Sequence, residues 1–275
     1  MDGHVPFAVR AEVAAAAGQR TMEHGSGITL GCSSRADSLR DAHEELVDAL
    51  PTLSPMEAEL DFFSLLRAAV ESREPDACRT VVRALVEHGV AVTPTLVVFR
   101  GPDPVMEDTV GLRLLPAAVR ERWTGMAQGP PHPAAEIMAP VAATGPANAR
   151  MLHEAGVTIL AGTDLGNPFL VPGRSLHAEL AALVHDAGLS PLEALRSATV
   201  NPARTFGLAD SLGTISPGMR ADLVLLRANP VADIAAVRTV RAVVLAGRFL
   251  DRDALDRLVS RQGPGAAPAI AGPGG

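Results

Sequence analysis

The sequence predicts an α/β protein built on a buried parallel sheet, with a smaller all-β appendage towards its C-terminus. Two observations carry that reading. Three segments, AEVAAAAGQRTMEHG, VVRALVEHGVAVTPTL and ARMLHEAGVTILAGTD, repeat one order: an apolar-striped helix, a glycine, then a short β-rich run. The runs VAVTPTLVV and VTILAGTD are β-branched and apolar on both faces, as strands covered on both sides should be. Helices alternating with such strands define the α/β class.

Each element follows in order. Gly18, Gly89 and Gly156 stand where a helix C-cap belongs, because glycine enters the left-handed region cheaply. The first unit is a helix of about ten residues and a strand of four or five, ending at His24. The long gaps between these glycines must hold further helices, and DSLRDAHEELVDAL and PMEAELDFFSLLRAAVES are the candidates. FRGPDPVMEDTVGLRLLPAAVRERWTGM reads as an insertion, a lid or entrance loop. Its Phe99, Met106 and Trp123 are either pocket wall or ordinary packing. SLHAELAALVHDAG is a helix closed by Gly188, and SPLEALRSAT another, with Ser190 as N-cap and Pro191 at the first helical position. NPARTFGL follows. From about residue 211, SLGTISPGMRADLVLLRAN and VRTVRAVVLAGRFL read as short strands separated by P-G and A-G turns. DRDALDRLVSR is a final helix, and GPGAAPAIAGPGG a disordered tail.

Composition narrows the function. With 275 residues, 47% hydrophobic and 20% charged, the chain can bury a large core. A formal charge of −7 disfavours nucleic acid and anionic membrane as partners. All 24 basic residues are arginine, so chemistry that needs an amine side chain is excluded. Cys32 and Cys78 fit no metal or redox spacing and read as reduced thiols of a cytosolic protein, a single disulfide being the alternative. No secretory signal is expected at the start, and no apolar run approaches the roughly 18 residues of a membrane span. A soluble cytoplasmic protein acting on a small molecule is the expectation.

Candidate chemistry sits at strand ends. His4 and His24 are one helix-to-strand step apart, which places both at the C-terminal ends of neighbouring strands; Asp164 ends VTILAGTD at the same level. Parallel α/β folds build their sites at strand C-termini. Two imidazoles and a carboxylate there suit zinc or another divalent metal. By spacing alone, His4 reads equally as a solvated residue near a chain start, and Asp164 as a turn cap. His43, His88, His132 and His153 have no partner pattern, and His177 and His185 flank one helix stripe.

Longer motifs say more. GHVP followed by AAAAGQRTMEHG, then AVTPTL, EAGVTILAGTD and SLHAELAALVHDAGLSPLEALRSATVNPARTFGLADSLGTISPGMRADLVLLRANPVADI resemble the amidohydrolase superfamily, in its imidazolonepropionase-like and zinc prolidase-like branch. The resemblance covers about residues 3 to 258. It implies a partial TIM-like (β/α)8 barrel, about strands five to eight, over residues 1–210. β-Sandwich strands follow over 211–250, a helix over 251–262 and a disordered tail over 263–275. It also implies that His4 and His24 are metal ligands after the fifth and sixth strands. Asp164 would be both a ligand and the group that takes a proton from the attacking water, in hydrolysis of an amide, cyclic amide or Xaa-Pro-type C–N bond.

Departures from the family pattern matter as much. No H-x-H pair occurs anywhere, and with no lysine the carbamate bridge of binuclear members is chemically impossible. The strand before His4 is expected to be absent, replaced by Met1, Asp2 and Gly3. A half barrel leaves unpaired strand edges, so a homo-oligomer or a second polypeptide supplying the N-terminal half is expected. The alternative is a catalytically incomplete remnant with a structural or partner-binding role.

Overall fold

In a computed structural model that describes residues 2–261, four parallel strands form one sheet in chain order. They are β1 (Asp2–Gly3), β2 (Thr21–Glu23), β3 (Ala91–Thr93) and β4 (Thr158–Ile159). Gly3 pairs with Met22, Met22 with Val92, and Val92 with Ile159, so one row of residues crosses the sheet. Met22, Val92 and Ile159 are buried in a core closed by the helices Ala11–Ala16, Pro75–Glu87, Ala135–Glu154 and Arg174–His185. Gly18, Gly89 and Gly156 all have positive φ, as their C-cap positions require.

Several elements differ from expectation. The strand before His4 is present as a two-residue stub. The first helix has six residues, not about ten. VAVTPTLVV is a strand only to Thr93: Thr95 turns left-handed and Leu96–Arg100 forms a 3-10 helical turn. Pro94 has no N–H for the ladder, and the N–H groups of Leu96 and Val97 donate to the Glu179 carboxylate instead of a neighbouring strand. Gly213 to Ala221 likewise forms no strand. The expected helices at Ala36–Ala49 and Pro55–Glu71 are present. The helix Ala135–Glu154 is longer than its sequence suggests, for it runs through Pro140 and Pro146 while packed against Pro55–Glu71. The insertion read as a lid or entrance loop folds as three short helices, Asp103–Met106, Thr109–Arg113 and Ala117–Gln128.

Cys32 and Cys78, expected as reduced thiols, are joined as a disulfide across a Cα–Cα distance of 4.2 Å. Both lie in the main core, brought together by the packing of Ser26–Gly31 against Pro75–Glu87. This pairing removes the thiol argument for a cytosolic location. No helix among the described residues is long and apolar enough to cross a membrane.

The sheet edges are not equally open. On the outer side of β4, the Ile159 carbonyl accepts from Asn201 Nδ2 at 2.9 Å, and the Ala161 N–H donates to the Ser197 carbonyl at 2.9 Å. The helices Pro191–Ser197 and Val200–Thr205 therefore close an edge expected to be bare. The first of them carries a capping box: Ser190 accepts from the Glu193 N–H while the Glu193 side chain accepts from the Ser190 N–H. Ser190→Ala is expected to lower stability by about 1 kcal/mol in denaturant unfolding.

The C-terminal appendage is an antiparallel sheet of β5 (Leu223–Leu226), β6 (Val240–Leu245) and β7 (Arg248–Leu250). Ala246 and Gly247, both at positive φ, make the two-residue turn between β6 and β7. Val224, Leu245 and Phe249 on this sheet remain exposed. The final helix spans Arg252–Arg261, and the segment 263–275 read as a disordered tail lies outside the described residues.

Candidate active site

His4 directly follows β1 and His24 directly follows β2, so the register of the parallel strands brings the two imidazoles together. Their rings stack with centroids 4.7 Å apart. Asp164 lies beyond β4, and its Oδ2 is 3.6 Å from His24 Nε2. The three residues singled out in the sequence thus meet at the C-terminal end of the sheet. Of the five non-glycine residues at positive φ among those described, His24, Thr95 and Asp164 are three. Such backbone costs about 1–3 kcal/mol per residue and persists only where the surroundings enforce it.

The surroundings of His24 assign its protons. Its backbone N–H donates to the Thr93 carbonyl at 2.9 Å, which ties it to β3. Its Nδ1 lies 2.6 Å from Thr95 Oγ1, and that hydroxyl donates to the Pro94 carbonyl at 2.8 Å. With its own proton committed, Thr95 accepts, so Nδ1 carries the hydrogen and Nε2 holds a lone pair. Burial holds the His24 pKa below its ordinary value; Asp164 and Glu23 oppose that, and His4 adds to it. Burial thus favours the neutral imidazole. Asp164 Oδ2 accepts from Asn167 Nδ2 at 2.6 Å, which orients the carboxylate.

A neutral nitrogen lone pair facing a carboxylate at 3.6 Å is too far for a hydrogen bond and is electrostatically unfavourable unless a proton or cation lies between. Ligand bonds of about 2.0–2.2 Å at a tetrahedral angle would put two donor atoms about 3.3–3.6 Å apart. His24 and Asp164 fit that spacing. The stacked His4 does not complete the set, for no group of three or more His, Cys, Asp or Glu residues among those described is arranged to hold a metal. The fit is a pair of donors rather than a closed coordination shell.

A narrow cleft of about 50 Å³ opens beside His24, lined in part by Pro94, Phe99, Met138, Asn148 and Leu152. Phe99 is thus a wall residue, whereas Trp123 is buried against Phe169 and Leu115. A second cleft, of about 120 Å³, is basic, with Arg100, Arg174, His177 and Arg238 around it. It touches none of the three site residues, and Arg174 is already engaged by Asp108. Of these two clefts, only the first touches a residue of the site, His24. Sequence reasoning missed Thr95, Asn167 and Glu179. Only Glu179 left a signal, as a carboxylate on the buried stripe of Ser175, Leu180 and Leu183.

Parallel α/β folds build their sites at the C-terminal ends of their strands, where His4, His24 and Asp164 lie. The family model of the amidohydrolase family matches residues 1–250, and the chain belongs to that family. Members typically use a divalent metal. An imidazolonepropionase of Deinococcus deserti is 43% identical over 86 residues, covering 31% of this chain and 21% of the relative. An ochratoxinase of Aspergillus niger is 37% identical over 91 residues, covering 33% of this chain and 18% of the relative. Among solved structures, a bottromycin amidohydrolase superposes with a TM-score of 0.64 at 27% identity, over 96% of this chain and 53% of that one. A Xaa-Pro dipeptidase shares the fold with a TM-score of 0.51 at 20% identity, over 88% of this chain and 42% of that one. The chain thus spans only part of the length of the proteins it matches.

Proposed function

We propose that this chain carries part of the site of a metal-dependent amidohydrolase, with a small-molecule substrate cleaved at an amide, cyclic amide or Xaa-Pro-type C–N bond. The observation that carries the reading is His24 Nε2 facing Asp164 Oδ2 at 3.6 Å. His24 and Asp164 would supply two donors to a divalent metal, with zinc the best match to imidazole and carboxylate, and His4 would join them by turning out of its stack on His24. Such a metal supplies a water of lowered pKa and a polarised carbonyl. This chain's own contribution to the proton traffic is Asp164, which takes a proton from the attacking water and passes it to the leaving nitrogen. The four parallel strands correspond to about strands five to eight of a (β/α)8 barrel, and β5–β7 to a share of a β-sandwich.

The test loads the protein with zinc and assays Xaa-Pro dipeptides, cyclic imides and lactams. Hydrolysis should be abolished by a chelator and restored by zinc. A protein that retains stoichiometric zinc yet cleaves none of these substrates would sink the proposal.

A second reading has its own support. The donor set is not closed among the described residues, and Val224, Leu245 and Phe249 stand exposed on β5–β7. Both fit a chain that pairs with a second copy or with a polypeptide supplying the barrel's other half, the hydrolytic role being shared or lost. A monomer by light scattering with cooperative unfolding would count against pairing.

A further inference from the structure

Glu179 is fully buried on the helix Arg174–His185, yet among the described residues no cation forms an ion pair with it. Nearby Arg100 is engaged with Asp186. The Glu179 carboxylate accepts two hydrogen bonds from the main chain, the Leu96 N–H to Oε1 at 3.1 Å and the Val97 N–H to Oε2 at 3.0 Å. Those two donors open the turn that begins at Thr95, the buried, left-handed residue whose hydroxyl lies on His24 Nδ1. An apolar side chain of similar size would fill the space at less electrostatic cost, but it would leave both N–H groups unpaired. The carboxylate therefore defines the path of the chain immediately after Thr95.

We propose that Glu179 is a positioning residue for His24: by gripping the Leu96 and Val97 N–H groups it holds Thr95 left-handed, which keeps the Thr95 hydroxyl as acceptor for His24 Nδ1–H and leaves Nε2 as the lone-pair nitrogen towards Asp164. The inference rests on the reading of His24 as a site residue for its functional meaning, but not for its test. One face of the carboxylate controls a turn, the turn controls a hydroxyl, and the hydroxyl selects the tautomer. Partners on the outer nitrogen of a ligand histidine set its orientation and basicity in this way.

The experiment is long-range ¹H–¹⁵N correlation on histidine-labelled protein without metal or substrate, at mildly alkaline pH, with His24→Asn to assign the resonances. Wild type is expected to show His24 as a single Nδ1–H tautomer. Thr95→Val removes the acceptor and should shift His24 to the Nε2–H form or a mixture, whereas Thr95→Ser should keep the wild-type pattern. Glu179→Gln, which turns an amide NH2 towards a backbone N–H, should give the same mixture as Thr95→Val while the protein remains folded. Should that variant fail to fold, Glu179→Asp keeps the charge but is too short to grip both donors, and the same shift is expected. Ser190→Ala, destabilised elsewhere, should leave the tautomer unchanged, which separates positioning from general loss of stability. A folded Glu179 variant with His24 still wholly Nδ1–H would overturn the proposal, as would a wild type in the other tautomer. Because no turnover is read, failure of the hydrolase reading leaves this result interpretable.

Discussion

Asp164→Asn is expected to lower turnover by about 10²- to 10⁴-fold, the usual contribution of a positioned proton-transfer group. The substitution removes the negative charge and the basic oxygen lone pairs while keeping the side chain's size. Its amide oxygen can still accept from Asn167 Nδ2, which holds the carboxylate at 2.6 Å in the wild type. Asp164 is exposed and contributes nothing to the core, so the unfolding midpoint should change little. Loss of kcat with an unchanged midpoint is the expected pair of results. Undiminished kcat would remove Asp164 from the proton path. Zinc retention should weaken as well, since one of two facing donors becomes neutral.

The second large effect is on stability, and it comes from Glu179. Burial pushes its pKa up to about 7 from an ordinary 4.5, against the opposing hydrogen bonds from Val97 and Leu96 and the charge of Arg100; Asp186 reinforces the rise. A carboxyl whose folded pKa is raised binds its proton more tightly in the native state than in the unfolded chain. Its stabilising contribution is complete below pH ~4.5, declines as pH rises, and is gone above pH ~7. Over that window the unfolding free energy should fall by on the order of 3 kcal/mol from this group alone. Denaturant unfolding at a series of pH values checks this, with Glu179→Gln expected to flatten that portion of the profile. A wild-type profile that rises steadily over the same window, with no difference in the variant, would contradict the assignment.

Much of the fold was legible because it is written in local chemistry. Gly18, Gly89 and Gly156 mark helix ends by a conformational freedom no other residue shares, and all three have positive φ. Ser190 before Pro191 marks a helix start without reference to the rest of the chain, and the structure adds Glu193 as its capping-box partner. Where packing overrides local preference the sequence misled. Pro140 and Pro146 disfavour a helix locally, yet Ala135–Glu154 is continuous through both and packs against Pro55–Glu71. The apolar run Leu96–Val98, with two β-branched valines, argues for a strand, yet a carboxylate 83 residues further along the chain claims its N–H group at Leu96. The disulfide was illegible for the same reason: Cys32 and Cys78 are 46 residues apart and meet only because two helices pack.

By itself, then, the sequence determined the family, the α/β class, the strand-end placement of His4, His24 and Asp164, and the exclusion of lysine chemistry. These follow from residue identity and short-range periodicity, which one chain displays without folding. Only the folded chain settled that β4's outer edge is closed, that His24 Nε2 faces Asp164 Oδ2, and that Thr95 and Glu179 stand behind it. Each of those depends on hydrogen bonds between segments far apart in the chain. Such bonds have no local signature, because the partners become neighbours only when burial of the core brings them together.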